Sequence, residues 1–72
     1  MNRAVTIYFK GKSNPVNIFI SNTDATGLQN KTMSAFYQSN FKFNVFVDKS
    51  SESATATIAI NSSQVVAFVV FN

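Results

Sequence analysis

The chain reads as a small α+β domain in the order ββαβββ, a five-stranded antiparallel sheet with one helix on one face. Three observations predict it. Two pairs of stretches alternate apolar and polar residues with period two, and a short polar turn separates the members of each pair. Between the pairs, residues 22–40 lose that alternation and carry helix-capping chemistry. The final stretch, residues 65–71, is apolar at every position. The alternative fold is an all-β small barrel of the SH3 or OB kind, in which curvature closes the sheet.

The 72 residues are taken as one domain, 1–72. A chain this short buries only about 60% of its unfolded surface, and without cysteine it has no disulfide to add.

In the first strand Val5, Ile7 and Phe9 form one face, and Ala4, Thr6, Tyr8 and Lys10 the other. Gly11-Lys12-Ser13-Asn14 is turn chemistry, and Pro15, with no amide to donate, suits the start of a strand. Val16, Ile18 and Ile20 then alternate with Asn17, Phe19 and Ser21. A hairpin closed over this turn pairs Phe9 with Val16, Ile7 with Ile18 and Val5 with Ile20, apolar on both sides. It also sets Tyr8 diagonal to Phe19 on the opposite face.

Thr26-Gly27-Leu28-Gln29 fits a capping box, so a helix is expected over roughly residues 27–38. Leu28, Thr32, Ala35 and Phe36 would form its apolar stripe, with Met33 beside it. Gly27, Asn30, Thr32 and Ser34 are mediocre helix formers, so docking on the sheet must hold it. The rival assignment makes residues 32–38 a strand hairpinned to Phe41.

The strand over 41–48 presents Phe41, Phe43, Val45 and Val47 on one side and Lys42, Asn44, Phe46 and Asp48 on the other. Lys49-Ser50-Ser51-Glu52 turns the chain, and residues 54–60 alternate again. The matching register sets Val47 opposite Ala54, Val45 opposite Ala56, Phe43 opposite Ile58 and Phe41 opposite Ile60. Ala54 and Ala56 leave room for a helix side chain such as Phe36. Asn61-Ser62-Ser63-Gln64 forms the last turn. Val65, Ala67, Val69 and Phe71 then continue the inner face, while Val66, Phe68 and Val70 lie outside.

The helix is expected on the face carrying Val5, Ile7, Phe9, Phe43, Ile58 and Val69. The outer face then collects Tyr8, Phe19, Phe46, Val66, Phe68 and Val70, with cross-strand rows Phe46–Thr55–Val70, Asn44–Thr57–Phe68 and Lys42–Ala59–Val66. One helix cannot cover both faces of such a sheet. The remaining apolar area should reach a few hundred Å² or more, at or above what ordinary monomers expose.

The composition removes whole classes of chemistry. With no cysteine and no histidine, the usual zinc, iron–sulfur and haem ligand sets and the Cys–His and Ser–His nucleophile systems are missing. The acids are Asp24, Asp48 and Glu52, and two carboxylates at a Ser-rich hairpin tip are too few for calcium. No enzymatic activity, cofactor or metal is expected. The formal net charge of +3 and pI of 9.6 sound basic, yet only 12% of residues are charged. Six lysines and arginines spread along the chain form no patch, and so few charges protect weakly against self-association.

The opening residues run straight into alternation, without the apolar stretch of roughly 7–15 residues that a secretory signal needs. The run 65–71 falls well short of the ~20 residues of a spanning helix, so no membrane association and a cytoplasmic location are expected.

The expected function is that of a non-catalytic protein-interaction module. It would self-associate through the open sheet face or the last strand, as a homo-oligomer, or dock onto another protein. Tyr8, Phe19, Phe46, Val66, Phe68 and Val70 are the interface candidates. The alternative is single-stranded nucleic-acid binding, with exposed rings stacking bases and Lys10 and Lys42 meeting phosphates. The basic-Gly-aromatic-Gly-aromatic signature of RNA-recognition sheets is missing, and Val66 and Val70 suit a protein partner better than a base. Five short strands and one helix without catalytic groups are also similar in make-up to small accessory proteins of phages and mobile elements.

Overall fold

The computed structural model describes residues 1–30 and 41–72. Its elements are β1 (Asn2–Phe9), β2 (Val16–Ser21), α1 (Asn22–Asn30), β3 (Phe41–Val45), β4 (Ala56–Ile60), one 3-10 turn (Ser62–Gln64) and β5 (Val65–Val70). The α+β class and the antiparallel pairing stand. The single five-stranded sheet does not: β2, β1 and β5 form one sheet in that order, and β3 and β4 form a second.

An isolated antiparallel bridge between Phe19 and Phe46 links the two, with the Phe46 amide donating to the Phe19 carbonyl across 2.9 Å. The strands therefore follow one another as β5-β1-β2, then β3-β4. The two ends of that order, β4 and β5, are only a 3-10 turn apart in the chain. The strands must curl around a common core for both facts to hold. No ladder joins β4 to β5 among the described residues.

The core draws on every part of this wrap. Val5, Ile7 and Ile20 come from the first two strands, Phe43 and Ile60 from the second sheet, Val65 from β5 and Ala25 from α1. Phe9, Ile18, Leu28, Ile58, Phe68 and Val70 pack against them. The face that carries Val5 and Ile7 is thus closed by the second sheet as well as by the helix, not by a helix alone. Val69, expected on that face, is 39% exposed.

The β3–β4 register is the one the alternation predicts, with Phe41 opposite Ile60, Phe43 opposite Ile58 and Val45 opposite Ala56. The ladder stops there, two residues short of the expected Val47–Ala54 pair. In the β1–β2 hairpin the faces are as expected but the register is shifted by two residues, with Ile7 opposite Val16 and Val5 opposite Ile18. The reason lies at the end of β1. Phe9 is opposite Val65, and the Lys10 amide donates to the Gln64 carbonyl at 2.8 Å, so those positions serve β5 instead of β2. Gly11, at φ +70°, supplies the left-handed residue of the longer turn.

The helix starts earlier than the capping box suggests. The Ser21 hydroxyl accepts the Asp24 amide at 3.1 Å, which makes the last residue of β2 the cap of α1. Asp24 sits in the first turn, where its charge suits the positive end of the helix. Ala25 and Leu28, three positions apart, face the core. The expected continuation over 31–38, its stripe of Thr32, Met33, Ala35 and Phe36, the seat above Ala54 and Ala56, and the rival strand at 32–38 all lie outside the described residues.

The largest departure is in β5. Tyr8 is opposite Ala67 but its neighbour Phe9 is opposite Val65, so the ladder skips Val66. One extra residue reverses the side on which every later residue falls. Val65 points to the core on one side of the bulge, and Phe68 and Val70 do so on the other. Phe68 and Val70 were expected on the outer face; the bulge places them inside.

Candidate interaction surface

The side of β1 opposite Val5 and Ile7 can be written row by row from the registers. Phe19, Ala4 and Phe71 form the first row, since Ala4 is opposite Phe19 and its carbonyl accepts the Phe71 amide at 3.0 Å. The bridge from Phe19 extends that row to Phe46. Asn17, Thr6 and Val69 form the second, and Tyr8 and Ala67 the third.

This surface is open at one end. Tyr8 is 43% exposed and Phe71 50%, while Phe19 and Phe46 are half-buried. Val66, at the bulge, is exposed. At the centre Thr6 is buried, and its hydroxyl donates to the Asn17 side-chain oxygen at 2.6 Å. A polar group this shielded would be costly without that partner. The pair therefore sits as a satisfied polar spot within an otherwise apolar area.

Of the expected interface residues, Tyr8, Phe19 and Phe46 share this side, although Tyr8 lies beyond the β1–β2 ladder and is not diagonal to Phe19. Phe68 and Val70 leave the set. Val69 and Phe71, expected inside, take their place. The three expected cross-strand rows fail because β5 pairs with β1 and not with β4. Asn44 and Thr57 do stand opposite one another, with the Thr57 hydroxyl donating at 3.2 Å. Lys42 faces Ala59 in the two-stranded sheet, and Lys10 leaves β1 toward the 10–15 turn. Both lysines are exposed, but Lys42 lies in the two-stranded sheet and Lys10 in the turn after β1, so they do not flank one row of rings.

Two residues that attracted no attention in the sequence organise the Asn2 end of the sheet. Asn2, buried, donates through its side chain to the carbonyls of Asp48 (2.9 Å) and Ser51 (2.8 Å), and its amide donates to that of Lys49 (2.8 Å). The Asp48 carboxylate meanwhile accepts the amides of Ser50 and Ser51, closing the turn on itself. Arg3 reaches the Phe71 carbonyl, Gln29 and Asn72. No spacing rule flags a single Asn or Arg at a strand start.

Among the described residues no group of three or more His, Cys, Asp or Glu side chains could hold a metal ion, and no helix is long and apolar enough to cross a membrane. Comparison of the chain with protein-family models, with curated proteins and with solved structures finds no match.

Proposed function

We propose that the chain is a non-catalytic interaction module that self-associates through the side of β1 and β5 bearing Tyr8, Val69 and Phe71. The observation that carries this reading is the adjacency of three exposed apolar side chains, Tyr8 and Val69 on two paired strands and Phe71 directly after β5. Val66 at the bulge extends the area along β5. Curled strands with β4 and β5 at the ends of the order support the small-barrel alternative over an open sheet, and leave this outer side available to a second copy.

The size of the patch sets the strength. Aromatic side chains bury roughly 150–250 Å² each, so the exposed parts of these three amount to roughly 250 Å² per copy. Burying both copies' share gains about 12 kcal/mol gross at ~25 cal/mol/Å². Association costs roughly 4–15 kcal/mol, so the dimer should be weak and reversible. Sedimentation equilibrium over a wide concentration range tests it. The mass should rise toward twice the monomer value, and Val69→Asp should remain monomeric with an unchanged circular-dichroism spectrum. A parent chain that stays monomeric throughout, or a variant that associates equally well, removes the reading.

The row Phe46–Phe19–Ala4–Phe71 supports the second reading, single-stranded nucleic acid stacked on rings. The placement of Lys42 in the two-stranded sheet and of Lys10 in the turn after β1 weakens it.

A further inference from the structure

At the Asn2 end of the sheet lies a cleft of about 420 Å³ lined by Met1, Asn2, Arg3, Ala4, Asn22, Lys49, Phe71 and Asn72. Two of these side chains are cationic and none is acidic. Arg3 donates from Nε to the Phe71 carbonyl (3.0 Å), from Nη1 to Gln29 Oε1 (3.1 Å) and from Nη2 to Asn72 Oδ1 (2.9 Å). All three acceptors are neutral. They fix the plane of the guanidinium without cancelling its charge, and leave one N–H on each terminal nitrogen. Lys49 is held at the rim through its backbone, because its carbonyl accepts the Asn2 amide, while its ammonium group is exposed. Asp48, next along the chain, has its Oδ1 engaged by Ser50 and Ser51 in the turn and does not line the cleft. Met1, Ala4 and Phe71 give the same cleft apolar walls.

We propose that this cleft binds a small oxyanion carried on an apolar body, a carboxylate or phosphate monoester. The oxyanion meets the Arg3 fork and the Lys49 ammonium, and the apolar body lies against Phe71. A pre-oriented guanidinium suits such a ligand because little side-chain freedom is lost on binding. Phe71 is common to this cleft and to the self-association patch, but Arg3 and Lys49 lie outside that patch, so the oxyanion contacts do not depend on self-association.

Amide chemical-shift titrations with inorganic phosphate, phenyl phosphate and benzoate test it. Saturable shifts should centre on Arg3, Ala4, Asn22, Lys49 and Asn72. Phenyl phosphate should bind more tightly than inorganic phosphate, and the benzoate arm tells whether carboxylates share the site. Arg3→Gln should abolish binding. Because that change also cuts three structural hydrogen bonds, Lys49→Ala serves as the second variant: it should keep the fold and weaken binding about two- to fivefold, the worth of one exposed charge. Lys12→Ala, in the distant turn, should change nothing. No saturation by about 10 mM of any probe overturns the proposal, as does an equal loss in Lys12→Ala and Lys49→Ala. Equal affinity for the two phosphates overturns the part assigned to the apolar walls.

Discussion

Phe46 and Phe19 meet at the one bridge between the two sheets among the described residues, with a backbone hydrogen bond of 2.9 Å. Their contact turns two small sheets into one wrapped layer around Val5, Ile7, Phe43 and Ile60. Phe19→Ala should cost about 3–5 kcal/mol if its ring is as well packed as a core ring, and less in proportion to its partial exposure. Urea denaturation of this variant measures which applies, and a loss below about 0.5 kcal/mol would show that the ring does not hold the sheets together.

The bulge in β5 makes a prediction about neighbouring residues. Phe68→Asp buries a carboxylate against the core and should destabilise the chain by more than about 3 kcal/mol, while Val66→Asp, exposed at the bulge, should change stability by no more than about 0.5 kcal/mol. Equal effects of the two in thermal melts would contradict the assigned faces.

Asn2 offers a test of the 48–51 turn. Asn2→Ala leaves the carbonyls of Asp48 and Ser51 without this donor and should cost about 1–3 kcal/mol. Amide exchange at Ser50 and Ser51 should accelerate in the same variant. Exchange that stays at its parental rate would mean that the turn stands by itself.

The two glycines should respond with opposite signs. Gly27 lies inside α1, and a Cβ there would meet nothing within 4 Å, so Gly27→Ala should stabilise by roughly 0.8–1 kcal/mol. Gly11 is equally open but has φ +70°, so Gly11→Ala should destabilise by about 1 kcal/mol through backbone strain alone. Melting temperatures of the pair provide the measurement. A shift in the same direction for both would contradict the backbone geometry at Gly11.

Why some of this was legible in the sequence and some not follows from the residues themselves. Phe43, Asn44 and Val45 alternate cleanly against Ala56, Thr57 and Ile58, and polar Asn44 and Thr57 fix which side is wet; that register was readable. In β1 and β2 a slip of two residues keeps every side chain on its face, so alternation cannot distinguish Ile7–Ile18 from Ile7–Val16. The polar pair Thr6–Asn17, opposite one another only in the observed register, was the available clue. In β5, Val-Val-Ala-Phe-Val-Val has no polar residue to mark a side, so a bulge leaves no trace. The same ambiguity moved a third of the candidate surface: Val69 and Phe71 replaced Phe68 and Val70. Tyr8 and Phe19 were readable because they interrupt otherwise polar positions. The Arg3 cleft depends on chain segments far apart in sequence, which no local pattern encodes.

Ser21 closes β2 and caps α1 in the same stroke, so strand and helix meet with no spacer. An α-helix advances by roughly 100° per residue, so inserting one amino acid between Ser21 and Asn22 would swing Ala25 and Leu28 about a quarter-turn away from the interior. Lengthening is therefore far better tolerated in the 10–15 turn than at this seam, where the spacing of the chain is itself part of the fold.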